Sequence, residues 1–232
     1  VFPPDLSPDH LLRTVRYHDV THIFAVPLLW AAVERSVRKE AAKDEKTKAA
    51  LEKGLSLSLK LQKIAPRWGG RKLAARLFRD VRKRLFGDTV QFCISGGSSI
   101  KPETLSLLNG MGYSLCNGYG MSEIGITSVD LSLRAEDRIK GAIGRPVDSV
   151  EYRIDENGHL LVKGASVCPT MILDGIPTKT PQWFDTGDLM DRDERGRYHI
   201  CGRASDLVFG ADGENLNPDL AEQAFSLPGA KN

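Results

Sequence analysis

No stretch of this 232-residue chain stays apolar long enough to cross a bilayer as a helix, and its opening residues, Val1-Phe2-Pro3-Pro4-Asp5, lack the basic-then-apolar plan of an export signal. The four cysteines, Cys93, Cys116, Cys168 and Cys201, are scattered, with no Cys-x-x-Cys pair among them. That spacing speaks against a zinc knuckle or a dithiol redox centre, and fits buried, reduced thiols in a cytoplasmic protein. There is no Gly-x-x-x-x-Gly-Lys-Ser/Thr phosphate loop, and the five histidines, at positions 10, 18, 22, 159 and 199, have no nucleophile elbow to serve. P-loop and hydrolase-triad chemistry are thereby set aside. An initiating methionine is also lacking, so the sequence reads as a section of something longer.

What is present is an ordinary globular composition, 41% hydrophobic and 27% charged, with length for one large or two small domains. The formal charge of +2 hides an uneven distribution. Residues 34–85 hold 17 Lys and Arg against 6 Asp and Glu, a net +11, while the remainder holds 15 against 24, a net −9. A solvated helical face is the plainer account of the basic part; contact with RNA, acidic lipid or an acidic substrate is the alternative. Of these, peripheral membrane contact is carried forward and nucleic acid is not expected.

Ser7-Pro8-Asp9 supplies an N-cap, a helix-compatible proline and an early acid, and with Leu11, Leu12 and Val15 on one face it predicts a helix to about Tyr17. Residues 21–26 read as a buried strand that Pro27 ends, opening a helix over 28–33; His22 and Trp30 read as packing residues. Charge pairs at helical spacing from Glu34 onward predict helices. Leu55 to Leu61 alternates like a strand, but Leu57, Leu61 and Ile64 also fit a helical stripe, and helix is the reading adopted. Leu73, Leu77, Val81 and Leu85 predict one amphipathic helix ending at Gly87.

A strand over 90–94, a helix from Pro102 and a strand over 113–116 form a β-α-β unit with parallel neighbours. Both glycine-rich stretches that follow those strands then lie at the carboxyl edge of one sheet, where open α/β folds bind ligands. After Gly125 short strands take over. Val150–Ile154 and His159–Val162 flank Asn157-Gly158, a hairpin signal, and a second such unit turns at 191–196. The fold class is α/β: a mostly parallel sheet with helices over residues 1–127, carrying a basic helical insertion at 34–86, then a small antiparallel β subdomain over 128–203.

Asn117-Gly118-Tyr119-Gly120-Met121-Ser122-Glu123 concentrates the unusual chemistry. Tyr119 offers a flat face to a purine, and Gly96, Gly97, Gly118 and Gly120 let backbone approach a base; the same residues read equally well as a turn. Glu123 can hold Mg2+ beside a phosphate to which Ser122 donates, since one carboxylate plus substrate oxygens is a normal magnesium site. Asp188 is placed to accept from ribose hydroxyls, with a capped turn as the plainer reading. Arg203 alone reads as a surface ion pair more readily than as a ligand clamp.

Taken in order, Val26-Pro27-Leu28-Leu29-Trp30, Ser95-Gly96-Gly97-Ser98-Ser99-Ile100, Gly118-Tyr119-Gly120-Met121-Ser122-Glu123, Trp183-Phe184-Asp185-Thr186-Gly187-Asp188, Gly202-Arg203-Ala204-Ser205-Asp206 and Gly213-Glu214-Asn215-Leu216-Asn217-Pro218 resemble the motifs of adenylate-forming (AMP-binding) enzymes, most closely the long-chain fatty acyl-CoA synthetases. The resemblance covers nearly the whole chain and rests on the order of the motifs. It implies that Gly96, Gly97 and Ser98 line the adenine site, that Asn117, Gly118, Tyr119 and Gly120 hold and stack the base, and that Asp188 and Arg203 bind the ribose hydroxyls. Ser122 stands where the family usually has Thr, and Glu123 takes the magnesium role. ATP, Mg2+ and CoA are the implied cofactors. A fatty or other carboxylic acid is the implied substrate, and CoA or an acyl carrier protein the acceptor.

The family also implies a hinge just after Arg203, here at Ser205, so residues 204–232 read as the hinge and the start of a C-terminal domain. The family's Ser/Thr-Gly-rich phosphate loop and its distal catalytic Lys are absent from these residues, which predicts a piece inactive by itself. Residues 167–175 lack the Gly-Tyr common at that place. An acyl-carrier-protein synthetase or a fatty acyl-AMP ligase is the alternative within the class, and a non-catalytic nucleotide-binding or interaction module the alternative outside it.

Overall fold

The computed structural model describes residues 8–66, 69–206, 208–209 and 215–216. The chain forms two compact units, one of residues 1–121 and 126–145, the other of 122–125 and 146–232. The boundary expected at residue 127 therefore moves, and residues 128–145 stay with the first unit. The reason is its sheet: β1 (His22–Ala25), β2 (Phe92–Ser95), β3 (Leu115–Met121), β4 (Gly125–Val129) and β5 (Arg145–Pro146) are neighbours in that order. β1 with β2 and β2 with β3 are parallel, so Ser95 pairs with Ala25 on one side and Asn117 on the other.

Two strand expectations need correction. Among the described residues β1 pairs with β2 alone, so it is half-buried; His22 is exposed, its Nδ1 lying 2.8 Å from Thr21 Oγ1, and it packs at the surface with its ring centre 6.1 Å from that of Phe92. β3 does not stop at Cys116 but runs to Met121, because the returning chain supplies partners: Asn117 O accepts from Asp130 N at 2.8 Å and Tyr119 O from Thr127 Oγ1 at 3.4 Å. Most of the stretch read as a glycine loop is thus strand, and only residues 122–124 form the turn.

The helices are α1 (Pro8–Tyr17), α2 (Pro27–Ala41), α3 (Glu45–Ile64), α4 (Gly70–Leu77), α5 (Arg79–Leu85), α6 (Pro102–Gly110) and α7 (Ala135–Arg138). The expected start at Pro8 holds, while Ser7 lies outside the described residues. Asp44 caps α3, its Oδ2 accepting from Thr47 N at 2.9 Å and Thr47 Oγ1 at 2.8 Å, which decides the strand-or-helix ambiguity at Leu55–Leu61 for helix. The buried face of α3 is Leu51, Leu55, Ser58 and Gln62, however, and the stripe expected at Leu57 and Ile64 is exposed. Ser58 and Gln62 turn inward because they satisfy the carbonyls that end α6: Ser58 Oγ donates to Gly110 O, and Gln62 Nε2 to Asn109 O at 2.8 Å. The single helix expected through Leu73–Leu85 is broken at Phe78, whose φ of −104° and ψ of 21° leave the helical region. The break shifts the phase of the stripe, so Leu73 and Leu77 stay about half exposed while Leu85 enters the core.

That core lies between the sheet and the helices of the first unit. Trp30 is fully buried, as expected of a packing residue, and its Nε1 donates to Ala25 O at 3.3 Å. Its ring meets Phe86 edge-on at 6.0 Å, and Phe86 meets Tyr113 likewise at 5.3 Å. Each such side chain contributes about 1.5–3 kcal/mol by burial. Arg82 closes the row, its guanidinium 3.9 Å from the Tyr113 ring centre.

The second unit is built on strands β6 (Val150–Ile154), β7 (His159–Gly164), β8 (Thr170–Leu173), β9 (Ile176–Lys179), β10 (Phe184–Arg192) and β11 (Tyr198–Arg203). Four form an antiparallel sheet in the order β11-β10-β7-β6, with the expected hairpin at Asn157-Gly158; the second hairpin turns at 193–197, because Asp191 and Arg192, expected in the turn, pair within β10 with His199 and Tyr198. Asp155 Oδ1 fixes the first of these turns, accepting from Asn157 N and His159 N. β8 and β9 make a separate hairpin in the region that lacks the family's Gly-Tyr, turning at Asp174 and Gly175 with φ of 51° and 79°. β12 (Val208–Phe209) pairs with β13 (Asn215–Leu216). The rest of the motif at 213–218, and the residues read as opening a further domain, lie outside the described residues.

Candidate functional site

The residues expected around a base, Gly96, Gly97, Ser98, Asn117, Gly118, Tyr119 and Gly120, fall in the first unit; Ser122, Glu123, Asp188 and Arg203 fall in the second. Within the first unit the two glycine motifs meet. A Cβ on Gly96 would stand 3.2 Å from Phe24 Cζ and 3.6 Å from Gly118 O, so the missing side chain lets the end of β2 press against β3. Gly97 has a different reason to be glycine. Its φ is +94°, it is exposed, and the nearest atom to a Cβ there would be Val26 Cγ1 at 3.8 Å, so conformation and not space selects it. With Ser98 also exposed, this corner presents open backbone and a hydroxyl.

Asn117 is buried and its Nδ2 donates to Gly141 O at 2.9 Å, which commits one end of the amide to the loop after α7. Tyr119 exposes 7% of its surface, so little of its ring is presented outward.

In the second unit, residues 122–124 turn with Ser122 exposed and Glu123 half-buried, and Glu123 O accepts from Cys168 N at 2.7 Å. The backbone of Glu123 is anchored by that bond. The Asp185-Thr186-Gly187-Asp188 run divides its work. Asp185 Oδ1 accepts from Gly187 N at 2.8 Å, and Thr186 Oγ1 donates to Leu160 O at 2.9 Å while accepting from Asp188 N at 3.1 Å. The β7–β10 register shifts between Asp185 and Leu189, so the capped turn is real but belongs to Asp185. Asp188 pairs across the sheet with Arg203, whose Nε donates to Asp188 Oδ1 at 2.8 Å. The carboxylate is largely buried and the guanidinium half exposed. Thr186 is the residue sequence reasoning passed over. Its signal was a hydroxyl between two aspartates in a strand that must bulge.

Among the described residues no three His, Cys, Asp or Glu gather as a ready-made metal cage. A magnesium ion that keeps water and phosphate oxygens for most of its shell needs only one carboxylate, and Glu123 beside the exposed Ser122 hydroxyl fits that donor set. No helix among the described residues is long and apolar enough to cross a membrane.

Comparison with known proteins gives a consistent result. The family described as AMP-binding enzyme matches residues 1–170. The chain is 32% identical over 150 residues to the long-chain-fatty-acid–CoA ligase FadD15 of Mycobacterium bovis, covering 63% of this chain and 24% of the relative. It is 28% identical over 239 residues to the long-chain-fatty-acid–CoA ligase ACSBG2 of Xenopus laevis, covering 95% and 32%. It is 31% identical over 151 residues to the anthranilate–CoA ligase of Pseudomonas aeruginosa, covering 59% and 29%. The chain thus spans a third or less of the length of these relatives. In fold it resembles the o-succinylbenzoate coenzyme A synthetase of Bacillus subtilis, solved in complex with ATP and magnesium ion, with a TM-score of 0.62, 20% identity, and 94% of this chain against 39% of that one.

Proposed function

The chain belongs to the AMP-binding enzyme family, and from that premise we propose that it forms part of an AMP-forming acid–thiol ligase acting on a long-chain fatty acid. In this reading a carboxylate oxygen attacks the α-phosphorus of ATP, the bond to pyrophosphate breaks, and an acyl-adenylate forms. The thiol sulfur of CoA then attacks the acyl carbon, loses its proton, and AMP leaves. Magnesium supplies charge neutralisation at the phosphates when bound. This chain's own residues bind and orient: the exposed backbone at Gly97 and Ser98 receives the base, Glu123 holds the ion, Ser122 donates to phosphate, and Asp188 with Arg203 holds the ribose.

The observation that carries the reading is the Asp188–Arg203 pair, because two residues from separate motifs, each expected at the ribose, are cross-strand partners. The FadD15 and ACSBG2 relatives support the fatty substrate, and the anthranilate relative marks aryl acids as the competing class. These 232 residues hold neither the family's phosphate loop nor its distal Lys, and we propose that by themselves they turn over neither half-reaction. We also assign the protein to the cytoplasm. A substrate panel on the full-length protein tests the reading: pyrophosphate release should depend on a long-chain acid, followed by acyl-thioester formation with CoA. Release driven equally by anthranilate or benzoate would overturn the fatty assignment, and no release with any acid would overturn the ligase.

A further inference from the structure

Away from the nucleotide motifs, the first unit contains a cavity of about 740 Å3 among α1 to α5. None of Gly96–Ser98, Asn117–Glu123, Asp188 or Arg203 lines it. Its floor is apolar, with Leu12 from α1, Val37 from α2, Leu51 from α3, Phe78, and Leu85 from α5. Gly54 shapes that floor: a Cβ there would stand 3.0 Å from Phe78 Cζ, so the ring lies against α3 only because this helical residue has no side chain. Glycine in a helix interior is disfavoured relative to alanine, and the close ring contact gives it a use here.

The charged lining is of one sign in excess. Arg13, Arg16 and Arg84 stand against a single carboxylate, Glu40. Glu40 Oε2 is itself held by Lys43 Nζ at 2.6 Å, and that hydrogen bond, with the charges of the lysine and, less, of Arg84, keeps the carboxyl below its ordinary pKa. Arg16 has a tying role, its Nη1 donating to the carbonyls of Arg84 and Leu85 and so fastening α1 to the end of α5. Arg13 and Arg84 are exposed beside the apolar floor. A volume within the range of about 300–1,000 Å3 usual for small-molecule sites, apolar beneath and cationic at its exposed wall, complements a ligand with the opposite plan.

We propose that this helical lobe binds a single-chain amphiphile with an anionic head, the chain on the Leu12–Phe78 floor and the head at Arg13 and Arg84. The cavity shares no residue with the nucleotide motifs, so this binding is separate from that of the nucleotide. The site belongs to the inserted helices, since α3 to α5 supply half of its wall. The proposal stands whether or not the ligase reading does.

Calorimetric titration of this chain with hexadecanoate, below its micelle concentration, provides the test. One equivalent should bind. Ala50→Trp, which fills the cavity from an exposed small side chain on α3, should weaken binding by about tenfold or more, and Arg13→Glu with Arg84→Glu should weaken it comparably. Hexadecan-1-ol, lacking the charge, should bind more weakly and be indifferent to the arginine changes. Thr47→Trp, one helical turn earlier on the same wall, serves if Ala50→Trp fails to keep the wild-type circular dichroism. Hexadecanoate binding that survives both filling variants overturns the proposal. Loss of binding in Ser98→Trp does so too, by assigning the chain to the nucleotide corner, as does binding of anionic vesicles alone with no uptake of free hexadecanoate.

Discussion

Arg203 Nε donates to Asp188 Oδ1 at 2.8 Å across the β10–β11 pairing, which joins two motifs fifteen residues apart into one charged unit. Both are residues that the motif order assigns to the ribose, and a carboxylate accepts from hydroxyls while a guanidinium donates to them. Asp188→Asn in the full-length protein should weaken AMP binding by about tenfold, the worth of one charge-assisted hydrogen bond, and should erase most of the preference for AMP over its 2′,3′-dideoxy analogue. Thermal stability should change little, because an ion pair with one half-exposed partner contributes about 1 kcal/mol or less. An unchanged preference for the ribose hydroxyls would remove Asp188 from that role.

Glu123 sits on a turn whose backbone is held through Cys168 N, so exchanging its carboxylate for an amide leaves the fold alone. Glu123→Gln in the full-length protein should lower carboxylate-dependent pyrophosphate release by about 100-fold, the usual scale for removing one group that stabilises developing charge. The magnesium concentration for half-maximal rate should rise with it. Near-normal release at ordinary magnesium would mean that the ion is held elsewhere.

Local signals carried the elements and global packing carried the corrections. Pro27, Pro102 and Asn157-Gly158 each act through their own backbone, so helix starts and the hairpin could be read one residue at a time, whereas Asp44 reads from sequence as one of a series of charge pairs and caps α3 through its side chain. The inward face of α3 could not, because Ser58 and Gln62 are buried only by virtue of the α6 carbonyls they meet, some fifty residues away. The extent of β3 was hidden for the same reason, as it depends on the returning strand. At the candidate site, motif order pointed to Asp188 and Arg203 as separate ligands; their partnership needed the β10–β11 register, and Thr186 needed the bulge.

Asn109 is the joint between the helical insertion and the sheet. Its Nδ2 donates to Leu105 O and Leu115 O at 3.0 Å, its Oδ1 accepts from Arg138 Nε at 2.7 Å, and its carbonyl accepts from Gln62. Arg138 is buried, and burial lowers its pKa despite the nearby Asp130 and Asp137. Asn109→Ala removes an acceptor from a buried cation and should cost about 2–3 kcal/mol in urea unfolding. A cost below about 0.5 kcal/mol, the range of surface substitutions, would show that the network carries no weight.

Asp193 organises the β10–β11 turn, accepting from the backbone of Arg195 and Arg197 through Oδ1 and from the Arg197 guanidinium through Oδ2 at 2.7 Å. Burial pushes its carboxyl pKa up, but the Arg197 backbone and side-chain hydrogen bonds, with His199, outweigh that and hold it well below the usual carboxylate range. A carboxyl whose pKa is depressed on folding contributes stability that is fully present above its unfolded pKa of about 3.9 and is lost as pH falls toward the folded value. Asp193→Asn should therefore unfold at a lower temperature than the wild type at pH 7, and the gap should narrow steadily below about pH 4, where the wild type begins to lose the same contribution. Thermal unfolding followed by circular dichroism at pH 7, 4 and 3 checks this; a gap that stays constant across the three would mean that the turn is held by the shape of the side chain and not by its charge.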